Sequence, residues 1–585
     1  MSLTTLLSQI CAEAFAACGL PPELGQVVLS NRPDLGQFQG NGALAAAQQQ
    51  GRNPRQLAQA VADVLIGQEI FAEVTVAGPG FINLSLTNRF LAAHSQALAE
   101  DERLGCPAIT PAQTIVIDFG GPNVAKPMHV GHLRSAVLGD CLQRLGRFVG
   151  HRVISDIHLG DWGTQMGMLI NEVKQAQPDL TYFDETFSGP YPAESPVSIT
   201  DLQTLYPQAT ARCQADPQAM AEALAATVQL QQGRSGYRAL WQHFVAVSVA
   251  ELKADFDSLG VKFDLWLGES DYHDRIPPLL TRLEAAKLTQ LSEGALVMPL
   301  APVAGRELPP LILVKSDGGY LYGTTDLATI AQRVVEFQAD QILYVVDARQ
   351  QLHFAQLFQA AQQVGLLEKS TCQHLGFGTV NGPDGKPFKT RAGGVMRLRD
   401  LLALVVEAAR RRMIETGLAV DYSHSEQTDI AEKVGLAALK YADLMNHRTS
   451  DYVFDVDKFT RFEGRTGPYL LYTVVRIKSI LRKAAEQGRY PGLILPPGDD
   501  ERALMLTLAQ LPEAVQSATE GWLPHHLGDF AYGLAQAFNR FYDRCHILSQ
   551  ANSALQASWL GLAHLCLAEF ELVLSLLGIE VPERM

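Results

Sequence analysis

The chain contains 585 residues, of which 47% are hydrophobic and 19% are charged, and its 47 Lys and Arg against 62 Asp and Glu give a formal net charge of −15. At about 150 residues per domain, this length predicts three or four domains. The apolar content argues against a wholly disordered chain, a collagen or a coiled-coil rod. The net acidity argues against a protein that coats nucleic acid through bulk charge, but it leaves room for a local basic surface.

No apolar stretch reaches the length of about 20 residues that a membrane span requires. Residues 559–578 come nearest, but His564, Glu569 and Glu571 interrupt them, so an amphipathic helix is predicted there. The first residues lack the basic start of a secretory signal. The eight cysteines form no CxxC pair, which predicts neither a zinc ribbon nor a disulfide framework and favours buried thiols in a reducing cytoplasm.

Residues 1–105 are predicted to form a small α+β domain. Residues 3–17 are apolar at helical spacing, and residues 74–86 predict two short strands around a Gly-Pro-Gly turn. A polar linker over residues 101–113 separates this domain from the next segment.

A parallel α/β sheet is predicted to follow the linker. Residues 114–119 form a short, continuous apolar run typical of a buried parallel strand. A loop rich in Gly, Pro and Asn, a helix over residues 133–148 and a strand over residues 153–157 come next. This order is the opening of a doubly wound, Rossmann-type sheet. Further strands are predicted at residues 311–315, 342–346 and 374–379.

The rest of the chain is predicted to be mainly helical. Residues 170–300 are interpreted as a helical insertion between the two halves of the sheet, and the α/β domain as a whole spans residues 112–400. Nearly everything after residue 400 has helical periodicity, apart from one Pro- and Gly-rich loop. We therefore predict a helical junction over residues 401–464 and an all-helical C-terminal domain over residues 465–585.

Open parallel sheets bind ligands beyond the carboxyl ends of their strands, so the loop after residue 119 is the first candidate site. His129 and His132 lie three residues apart at the start of the predicted helix and share one face. Their N–H groups and the exposed backbone N–H groups can cradle a phosphate, and Gly131 leaves room for a flat base. Two histidines supply too few ligands for a metal, so no metal site is predicted, and a pair of surface histidines remains the plain alternative.

A second candidate site is the loop over residues 381–394, which follows a predicted strand. Glycines at both ends permit movement, and three cations at the tip, Lys386, Lys389 and Arg391, suit a polyphosphate. Between Lys386 and Arg412 there are eight basic residues and only two acidic ones. A solvated basic hairpin is the alternative, but a phosphate site in each half of one sheet makes it less attractive.

Both loops resemble signature elements of the class I aminoacyl-tRNA synthetases. HVGH at residues 129–132 resembles their HIGH element, and KPFKTR at residues 386–391 resembles a degenerate form of their KMSKS loop. Longer stretches along nearly the whole chain resemble the arginyl-tRNA synthetase family in particular. They are GQFQGN (36–41), GPGFINL (78–84), PNVAKPMHVGHLRS (122–135), GDWGTQ (160–165), DGGYLYGTTDLA (317–328), ARQQLH (348–353), KYADL (440–444) and TGPYLLY (466–472).

The resemblance implies that arginine and Mg²⁺-bound ATP give arginyl-adenylate and pyrophosphate, and that the arginyl group then passes to the terminal adenosine of tRNA-Arg. It also implies that activation needs the bound tRNA. The second lysine of KMSKS has no counterpart here, and by the resemblance Lys126 supplies the missing cation; without the family it would be taken as a surface lysine. ATP binding and catalysis are assigned to Lys126, His129, Gly131, His132, Lys386, Lys389 and Arg391.

A guanidinium group is planar and carries five donors, so its recognition requires a carboxylate. The resemblance places Asp326 in this role, with Tyr322 one helical turn earlier on the same face. An acid that complements a helix start is the alternative for Asp326. Gly120 and Gly121 stand where many relatives carry a serine, so one side-chain contact is lost. The family's remaining substrate contacts match Asp118, Asn123 and Gln350.

Tyr469, Tyr472 and Arg476 fall at i, i+3 and i+7 of one predicted helix. Two aromatic rings and a guanidinium suit the stacking and phosphate contacts of an unpaired RNA loop. Spacing alone would favour core packing, but the resemblance places the anticodon-binding domain here. It further implies a monomer, no membrane association, and tRNA contacts by Gln39, Asn41 and Met585.

Overall fold

The computed structural model describes residues 2–303, 305–316, 318–382, 384–386, 396–418 and 421–585. The chain divides into two compact units. Unit 1 contains Met1–Ile109, Ala409–Met445 and Asp457–Met585, and unit 2 contains Thr110–Ala408 and Asn446–Val456. The first and last segments of the chain thus share one unit, and the middle of the chain forms the other.

The first segment of unit 1 is an α+β fold, as predicted. Its elements are α1 (Leu3–Ala17), β1 (Val27–Leu29), β2 (Phe38–Gly40), α2 (Gly42–Gln50), α3 (Pro54–Leu65), β3 (Phe71–Ala77), β4 (Phe81–Leu86) and α4 (Asn88–Glu100). The strands form an antiparallel sheet in the order β1-β2-β4-β3. The predicted strand pair is the hairpin β3–β4, which turns at Gly78 and Gly80, both with positive φ.

Unit 2 is built on a four-stranded parallel sheet. The elements from residue 114 to residue 415 are β5 (Thr114–Phe119), α5 (Leu133–Phe148), β6 (Arg152–Asp156), α6 (Thr164–Ala176), α7 (Ile199–Ala215), α8 (Pro217–Gln231), α9 (Ser235–Ser258), α10 (Ile276–Ala285), β7 (Gln290–Ser292), β8 (Ala295–Met298), β9 (Leu311–Val314), α11 (Tyr322–Val335), β10 (Gln341–Val345), α12 (Gln351–Gln363), β11 (Thr371–His374), β12 (Val380–Asn381) and α13 (Leu398–Glu415). The strand order is β11-β10-β5-β6, with every neighbouring pair parallel. Because the order reverses between β5 and β10, the predicted doubly wound sheet is confirmed, and its switch point lies between these two strands.

Two of the predicted strands differ from the structure. The strand predicted at residues 311–315 is β9, but it pairs antiparallel with β8 in the separate sheet β7-β8-β9. Although its sequence is continuously apolar, burial alternates along the strand: Leu311 and Leu313 are buried, whereas Ile312 is exposed. The strand predicted at residues 374–379 ends earlier, since β11 ends at His374.

The helices α6 to α9 occupy most of the segment predicted as a helical insertion and enclose a core of their own, but the strands β7 and β8 at the end of that segment were not predicted. Leu202 on α7 and Leu240 on α9 are fully buried in this core. Val124 and Ala125, from the loop after β5, are buried in the same core. The insertion therefore fixes the beginning of the first candidate loop.

The remaining elements are mainly helical, as predicted. They are α14 (His424–Leu444), β13 (Tyr452–Val453), α15 (Val456–Phe459), α16 (Gly467–Glu486), α17 (Asp499–Leu508), α18 (Leu511–Glu520), α19 (His525–Arg544) and α20 (Ser553–Leu576). The short strand β13 lies in unit 2 and pairs there in parallel with β12.

The helix α20 is long and apolar enough to cross a membrane by length and composition, but most of it is buried inside the folded chain, as in a core helix. The helix predicted over residues 559–578 is present, and its exposed residues His564, Glu571 and Ser575 lie on one narrow stripe, whereas the other faces of α20 are buried. Glu569, one of the charges that interrupt the apolar stretch, has an exposed fraction of 0%.

Candidate active site

A cleft of about 420 Å³ opens at the carboxyl ends of β5 and β10. Its walls come from the loop after β5, from the 3-10 turn Ala348–Gln350 and from residues 377–380. The first candidate loop thus lies at the switch point of the sheet, where ligands of such folds bind. The predicted site residues that line the cleft are Asp118, His129, Gly131, His132 and Gln350.

His129 and His132 lie side by side in the cleft, with ring centroids 4.0 Å apart. They flank the 3-10 turn Val130–His132, which leads directly into α5. Nδ1 of His129 accepts a hydrogen bond of 3.0 Å from the N–H of Gly131, and Nδ1 of His132 accepts one of 3.1 Å from the N–H of His129. Because both Nδ1 atoms accept, each ring carries its proton on Nε2 and offers that N–H as a donor.

Both imidazoles are neutral at physiological pH. Burial, together with the nearby His129 and Lys126, lowers the pKa of His132 to about 3. Burial and the charge of Lys126 also lower the pKa of His129. The pair therefore supplies uncharged donors, and the positive charge of the site has to come from other side chains.

The backbone N–H groups of this turn are not available to a phosphate, contrary to the sequence prediction. Those of His129 and Gly131 donate to the two imidazoles. Those of Val130 and His132 donate to backbone carbonyls at 3.1 Å and 2.9 Å. Gly131 is required by the neighbouring ring itself, since a Cβ there would lie 2.7 Å from Cε1 of His129. The imidazole Nε2–H groups are left as the donors of the turn.

Lys126 lies near the two histidines, since its charge lowers the pKa of both rings. Its Nζ is 4.6 Å from the centre of the Tyr206 ring on α7. No carboxylate of the described residues forms an ion pair with Lys126. A partly buried ammonium without an anionic partner is a place where an anion binds favourably.

The second candidate loop begins and ends at this cleft. Val380, just before the loop, lines the cleft. Just after it, the N–H of Leu398 donates to the carbonyl of Met128 at 3.0 Å, and Arg397 forms a backbone bridge with His129. The chain on both sides of the second loop is therefore brought to the first loop.

Of the three cations predicted at the tip of the second loop, Lys386 is exposed in a tight turn. The N–H of Gly382 donates to the carbonyl of Lys386 at 2.7 Å and closes this turn. Lys389 and Arg391 lie outside the described residues.

An ion pair connects the start of α13 to the insertion. Arg399 pairs with Glu251 at 2.7 Å and also with Asp255, both on α9. Burial raises the pKa of the Asp255 carboxyl, and Arg399 opposes that shift. The segment after the second loop is thus fixed by a backbone bridge at Arg397 and by an ion pair two residues later.

Asp118 lines the cleft, as predicted, but is also bound to a buried arginine. Its carboxylate accepts a hydrogen bond of 2.6 Å from Nη2 of Arg333 on α11, which also donates to Asp156 at 2.9 Å. The side chain of Arg333 is 0% exposed. Burial raises the pKa of Asp118, and Arg333 opposes this shift.

Asp326 lies on α11 one turn after Tyr322, between two histidines. Its Oδ2 is 2.6 Å from Nε2 of His353, and its Oδ1 is 3.7 Å from Nε2 of His158. The helix begins at Tyr322 with Leu321 as its N-cap, so Asp326 lies beyond the first turn. The alternative that this acid complements a helix start is therefore wrong.

Glu269 is a candidate site residue that the sequence motifs do not single out. It begins the 3-10 helix Glu269–Arg275 and, together with Tyr322, lines a second cavity of about 290 Å³. Burial raises the pKa of Glu269 to about 7, with His158 and Asp326 among its charged neighbours. Two acids close to each other form the kind of site that a guanidinium group requires.

A signal for Glu269 is present in the sequence. Residues 263–267 are mainly apolar, and Gly268 and Glu269 follow them directly. In the structure Leu265 and Gly268 form parallel bridges to the β6 strand and to the loop after it. Glu269 thus stands at the carboxyl end of an extended segment, which is the position at which ligands bind in open parallel sheets.

Asn123 and the two glycines before it have restricted backbone surroundings. Asn123 forms a bridge with Gly160, where a Cβ would lie 2.2 Å from Oδ1 of Asn123. Gly120 and Gly121 have φ angles of +91° and +46°. A Cβ at Gly120 would also lie 3.1 Å from the Phe256 ring. The backbone conformation therefore disfavours a serine at these positions.

Tyr469, Tyr472 and Arg476 share one face of α16, and Asn539 of α19 contacts this face. Asn539 donates to the Tyr469 hydroxyl at 2.9 Å and accepts from Arg476 at 2.7 Å. The Arg476 guanidinium lies 4.7 Å from the centre of the Tyr472 ring. All three side chains are partly buried, so the face serves in part as a contact between helices.

The other predicted tRNA contacts also lie in unit 1. Gln39 is on β2 and donates to Asn83 at 2.9 Å. Asn41 is exposed as the N-cap of α2, and its side chain takes no part in capping. Met585 is partly buried.

Models of three protein families match successive parts of the chain. Residues 1–86 match the arginyl tRNA synthetase N terminal domain, residues 94–456 match the catalytic domain of the class I (R) tRNA synthetases, and residues 470–585 match the DALR anticodon binding domain.

Individual proteins match over the full length. The arginine–tRNA ligase of Maricaulis maris is 51% identical over 586 residues, covering 100% of both chains, and that of Alkaliphilus oremlandii is 48% identical, covering 99% of this chain and 100% of its own. The crystal structure of arginyl-tRNA synthetase from Plasmodium falciparum has a TM-score of 0.82 at 25% identity, covering 100% of this chain and 99% of that one. With the paired histidines at the sheet switch point, these matches establish that the chain belongs to the arginyl-tRNA synthetase family of class I.

Proposed function

We propose that this chain is an arginine–tRNA ligase, which activates L-arginine with ATP and transfers it to the terminal adenosine of tRNA-Arg. The observation that carries the proposal is the meeting of two loops at one cleft: the turn with two imidazole donors, and the two ends of the basic loop. Acids suited to a guanidinium group lie in the same unit, around His158. Membership of the family supports the same reaction.

In the first step a carboxylate oxygen of arginine attacks the α-phosphorus of ATP. The bond between the α-phosphorus and the bridging oxygen breaks, and pyrophosphate leaves with that electron pair. No protein nucleophile takes part, because the substrate carboxylate forms the new bond. The protein aligns the two reactants and stabilises the charge that develops on pyrophosphate.

We assign ATP to the cleft at the ends of β5 and β10. The Nε2–H groups of His129 and His132 donate to its phosphate oxygens, and Gly131 borders the adenosine. Lys126 contributes a positive charge that no carboxylate of the described residues neutralises. The second loop adds the cations Lys386, Lys389 and Arg391.

We assign the guanidinium group of arginine to Asp326 and Glu269, with Tyr322 beside the aliphatic part of the substrate. A guanidinium group binds well to acids that are shielded from water, and Glu269 is largely buried with Asp326 among the charges that act on it. The amino and carboxylate groups of the substrate are left to residues nearer the cleft, namely Asp118, Asn123 and Gln350.

We propose that Mg²⁺ enters with ATP. Among the described residues that line the cleft, both carboxylates already have partners: Asp118 pairs with Arg333 at 2.6 Å, and Asp347 pairs with Arg349 at 2.7 Å. Phosphate oxygens and water are therefore the expected ligands of the ion. When bound, the ion neutralises part of the phosphate charge.

In the second step a ribose hydroxyl of the terminal adenosine attacks the carbonyl carbon of arginyl-adenylate. The ester bond to tRNA forms, the bond between the carbonyl carbon and the phosphate oxygen breaks, and AMP leaves with that electron pair while the hydroxyl releases its proton. We propose that the chain acts as a monomer in the cytoplasm. The expected tRNA contacts are Gln39, Asn41, Tyr469, Tyr472, Arg476 and Met585.

The proposal is tested by amino-acid-dependent exchange of pyrophosphate into ATP, measured for each of the twenty amino acids with and without total tRNA. Arginine alone should support exchange, and only with tRNA present, and labelled arginine should become attached to tRNA. Exchange with a different amino acid would indicate another specificity. Retention of tRNA on a filter without any charging would indicate a binding protein without catalysis.

A further inference from the structure

The ammonium group of Lys126 lies against an aromatic ring, and no carboxylate among the described residues pairs with it. Its Nζ is 4.6 Å from the centre of the Tyr206 ring, within the distance of about 6 Å at which a ring face attracts a cation. A lysine side chain has many rotamers. An ion pair with a carboxylate would restrict them, but it would also neutralise the charge of the ammonium. A ring restricts them and leaves the charge unneutralised.

The backbone before Lys126 is fixed by the insertion. Val124 and Ala125 are buried in the insertion core. The N–H of Ala125 donates to Oγ of Ser248 on α9 at 3.0 Å, and Ala125 has a φ of +64°. A non-glycine residue adopts this left-handed conformation only where its surroundings impose it. The insertion therefore sets the direction in which Lys126 leaves the main chain.

Tyr206 is placed by the packing of α7. Leu202 and Ala209, four residues before it and three after it, are fully buried, so Tyr206 stands on the inner face of the helix. Its ring is partly buried against the insertion core. Tyr206 is also an electrostatic neighbour of Tyr322, which borders the second cavity.

We propose that Tyr206 is a positioning residue for arginine activation: its ring face holds the Lys126 ammonium where the phosphates of ATP bind. No acceptor in the described part of the chain takes a hydrogen bond from this ammonium, so its three N–H donors are left for phosphate oxygens. A carboxylate at the position of Tyr206 would compete with the phosphates for the same cation. The inference rests on the role assigned to Lys126 in the proposed function.

Three variants of the full chain test this role by steady-state pyrophosphate exchange with tRNA present, and by thermal unfolding. Tyr206→Leu removes the ring face, and Tyr206→Phe keeps the ring without its hydroxyl. Tyr191→Leu is the matched control, because Tyr191 is also partly buried against the insertion core but stacks on Tyr182 instead of a cation.

We expect Tyr206→Leu to lower kcat by about threefold to thirtyfold, the range that corresponds to the loss of one cation–ring contact. The KM for arginine should stay within about twofold, since the contact acts on the leaving group. Tyr206→Phe and Tyr191→Leu should keep kcat within about twofold. If either of them lost as much kcat as Tyr206→Leu, the hydroxyl or the packing would be responsible, and the proposal would be wrong.

A double-mutant cycle with Lys126→Ala separates this inference from the proposed function. In the Lys126→Ala background, Tyr206→Leu should cause no further loss of kcat, because the ring acts through the ammonium. A full further loss there contradicts the proposal. If Lys126→Ala lowers kcat and Tyr206→Leu does not, only the role of Tyr206 fails. If Lys126→Ala leaves kcat unchanged, the role of Lys126 fails, and that of Tyr206 fails with it.

Discussion

In both His129 and His132, Nδ1 accepts a hydrogen bond from a backbone N–H. A substitution preserves the turn only if the new side chain keeps that acceptor. Nδ1 of His132 accepts from the N–H of His129 at 3.1 Å. The amide oxygen of asparagine can take the place of Nδ1, but asparagine has no group at the position of Nε2–H. Structure and catalysis can therefore be separated at this residue.

We expect His132→Asn to lower kcat for arginine activation by about a hundredfold to a thousandfold, the usual effect of losing one donor to a developing anion. Its unfolding temperature should stay close to that of the parent protein, because the N–H of His129 keeps an acceptor. Exchange kinetics and thermal unfolding measure the two effects. His132→Ala should lose both activity and stability. A fully active His132→Asn protein would contradict the assignment of this donor.

The role proposed for Glu269 predicts that arginine binding depends on pH. Burial raises the pKa of Glu269 to about 7, so part of the free protein carries the uncharged acid at neutral pH. Only the ionised carboxylate attracts a guanidinium group, so binding strengthens as the pH rises through 7.

We expect the KM for arginine to fall between pH 6 and pH 8, by up to about tenfold per pH unit below the pKa of Glu269. Glu269→Gln should have a higher KM that changes less over this range. Exchange kinetics at saturating ATP provide the measurement. If the KM for arginine depended on pH equally in the parent protein and in Glu269→Gln, a group other than Glu269 would be responsible.

Among the elements, those with local signals could be predicted from the sequence. The strand β5 is a continuous apolar run, and α5 has apolar residues at helical spacing directly after His132. The position of the cleft could be predicted because open parallel sheets bind ligands beyond the carboxyl ends of their strands. The sequence could not show that the imidazoles take up the backbone N–H groups of their own turn, because that depends on side-chain rotamers.

The sequence patterns did not reveal how strands pair or which segments meet over long sequence distances. The strand β9 has the same continuous apolar character as β5, and only its alternating burial reveals that it belongs to a local antiparallel sheet. Glu269 follows an extended segment that bridges to β6, far away in sequence. Lys389 and Arg391 lie outside the described residues, so their role stays a prediction.

The connection between α13 and α9 can be tested as an element contact. Arg399 pairs with Glu251 and Asp255, and Asp255 is buried. We expect Arg399→Ala to lower the free energy of unfolding by about 1–3 kcal/mol, because a buried acid loses its partner. The KM for ATP should rise as well, since the same segment bridges to His129.

Chemical denaturation and exchange kinetics measure both effects of Arg399→Ala. The double variant Arg399→Ala, Asp255→Asn should recover part of the stability, because the unpaired buried charge is gone. Arg412→Ala is the control, since Arg412 pairs only with Glu415 of its own helix among the contacts described. Equal destabilisation by Arg412→Ala would show that the ion pair with α9 contributes no more to the free energy of unfolding than a pair within one helix.

At the scale of the whole molecule, unit 1 joins the beginning of the chain to its end. Thr4 donates to Glu513 of α18 at 3.0 Å. On α17, Arg502 donates to the carbonyl of Leu86 at 2.6 Å and to Gln37 at 3.1 Å. The first segment is therefore fixed to the C-terminal helices by specific polar contacts.

We expect Arg502→Ala to lower the free energy of unfolding by about 1–3 kcal/mol and to speed hydrogen exchange in β4 and α4, because partly buried acceptors lose their donor. Hydrogen exchange followed by mass spectrometry measures the effect. The control is Arg482→Ala, an exposed position on α16. Unchanged exchange in β4 and α4 would show that other contacts suffice to join the two segments.

The division of unit 1 between the two ends of the chain has a consequence for biosynthesis. Ribosomes add about 5–20 residues per second, so the 110–408 segment alone separates the first segment of unit 1 from its other two by about 15–60 seconds. During this interval α1 and α4 have emerged without the helices α17, α18 and α20 that pack on them. The newborn first segment must keep its shape through its own antiparallel sheet, and slow codons in the intervening message would prolong its exposure to chaperones and proteases.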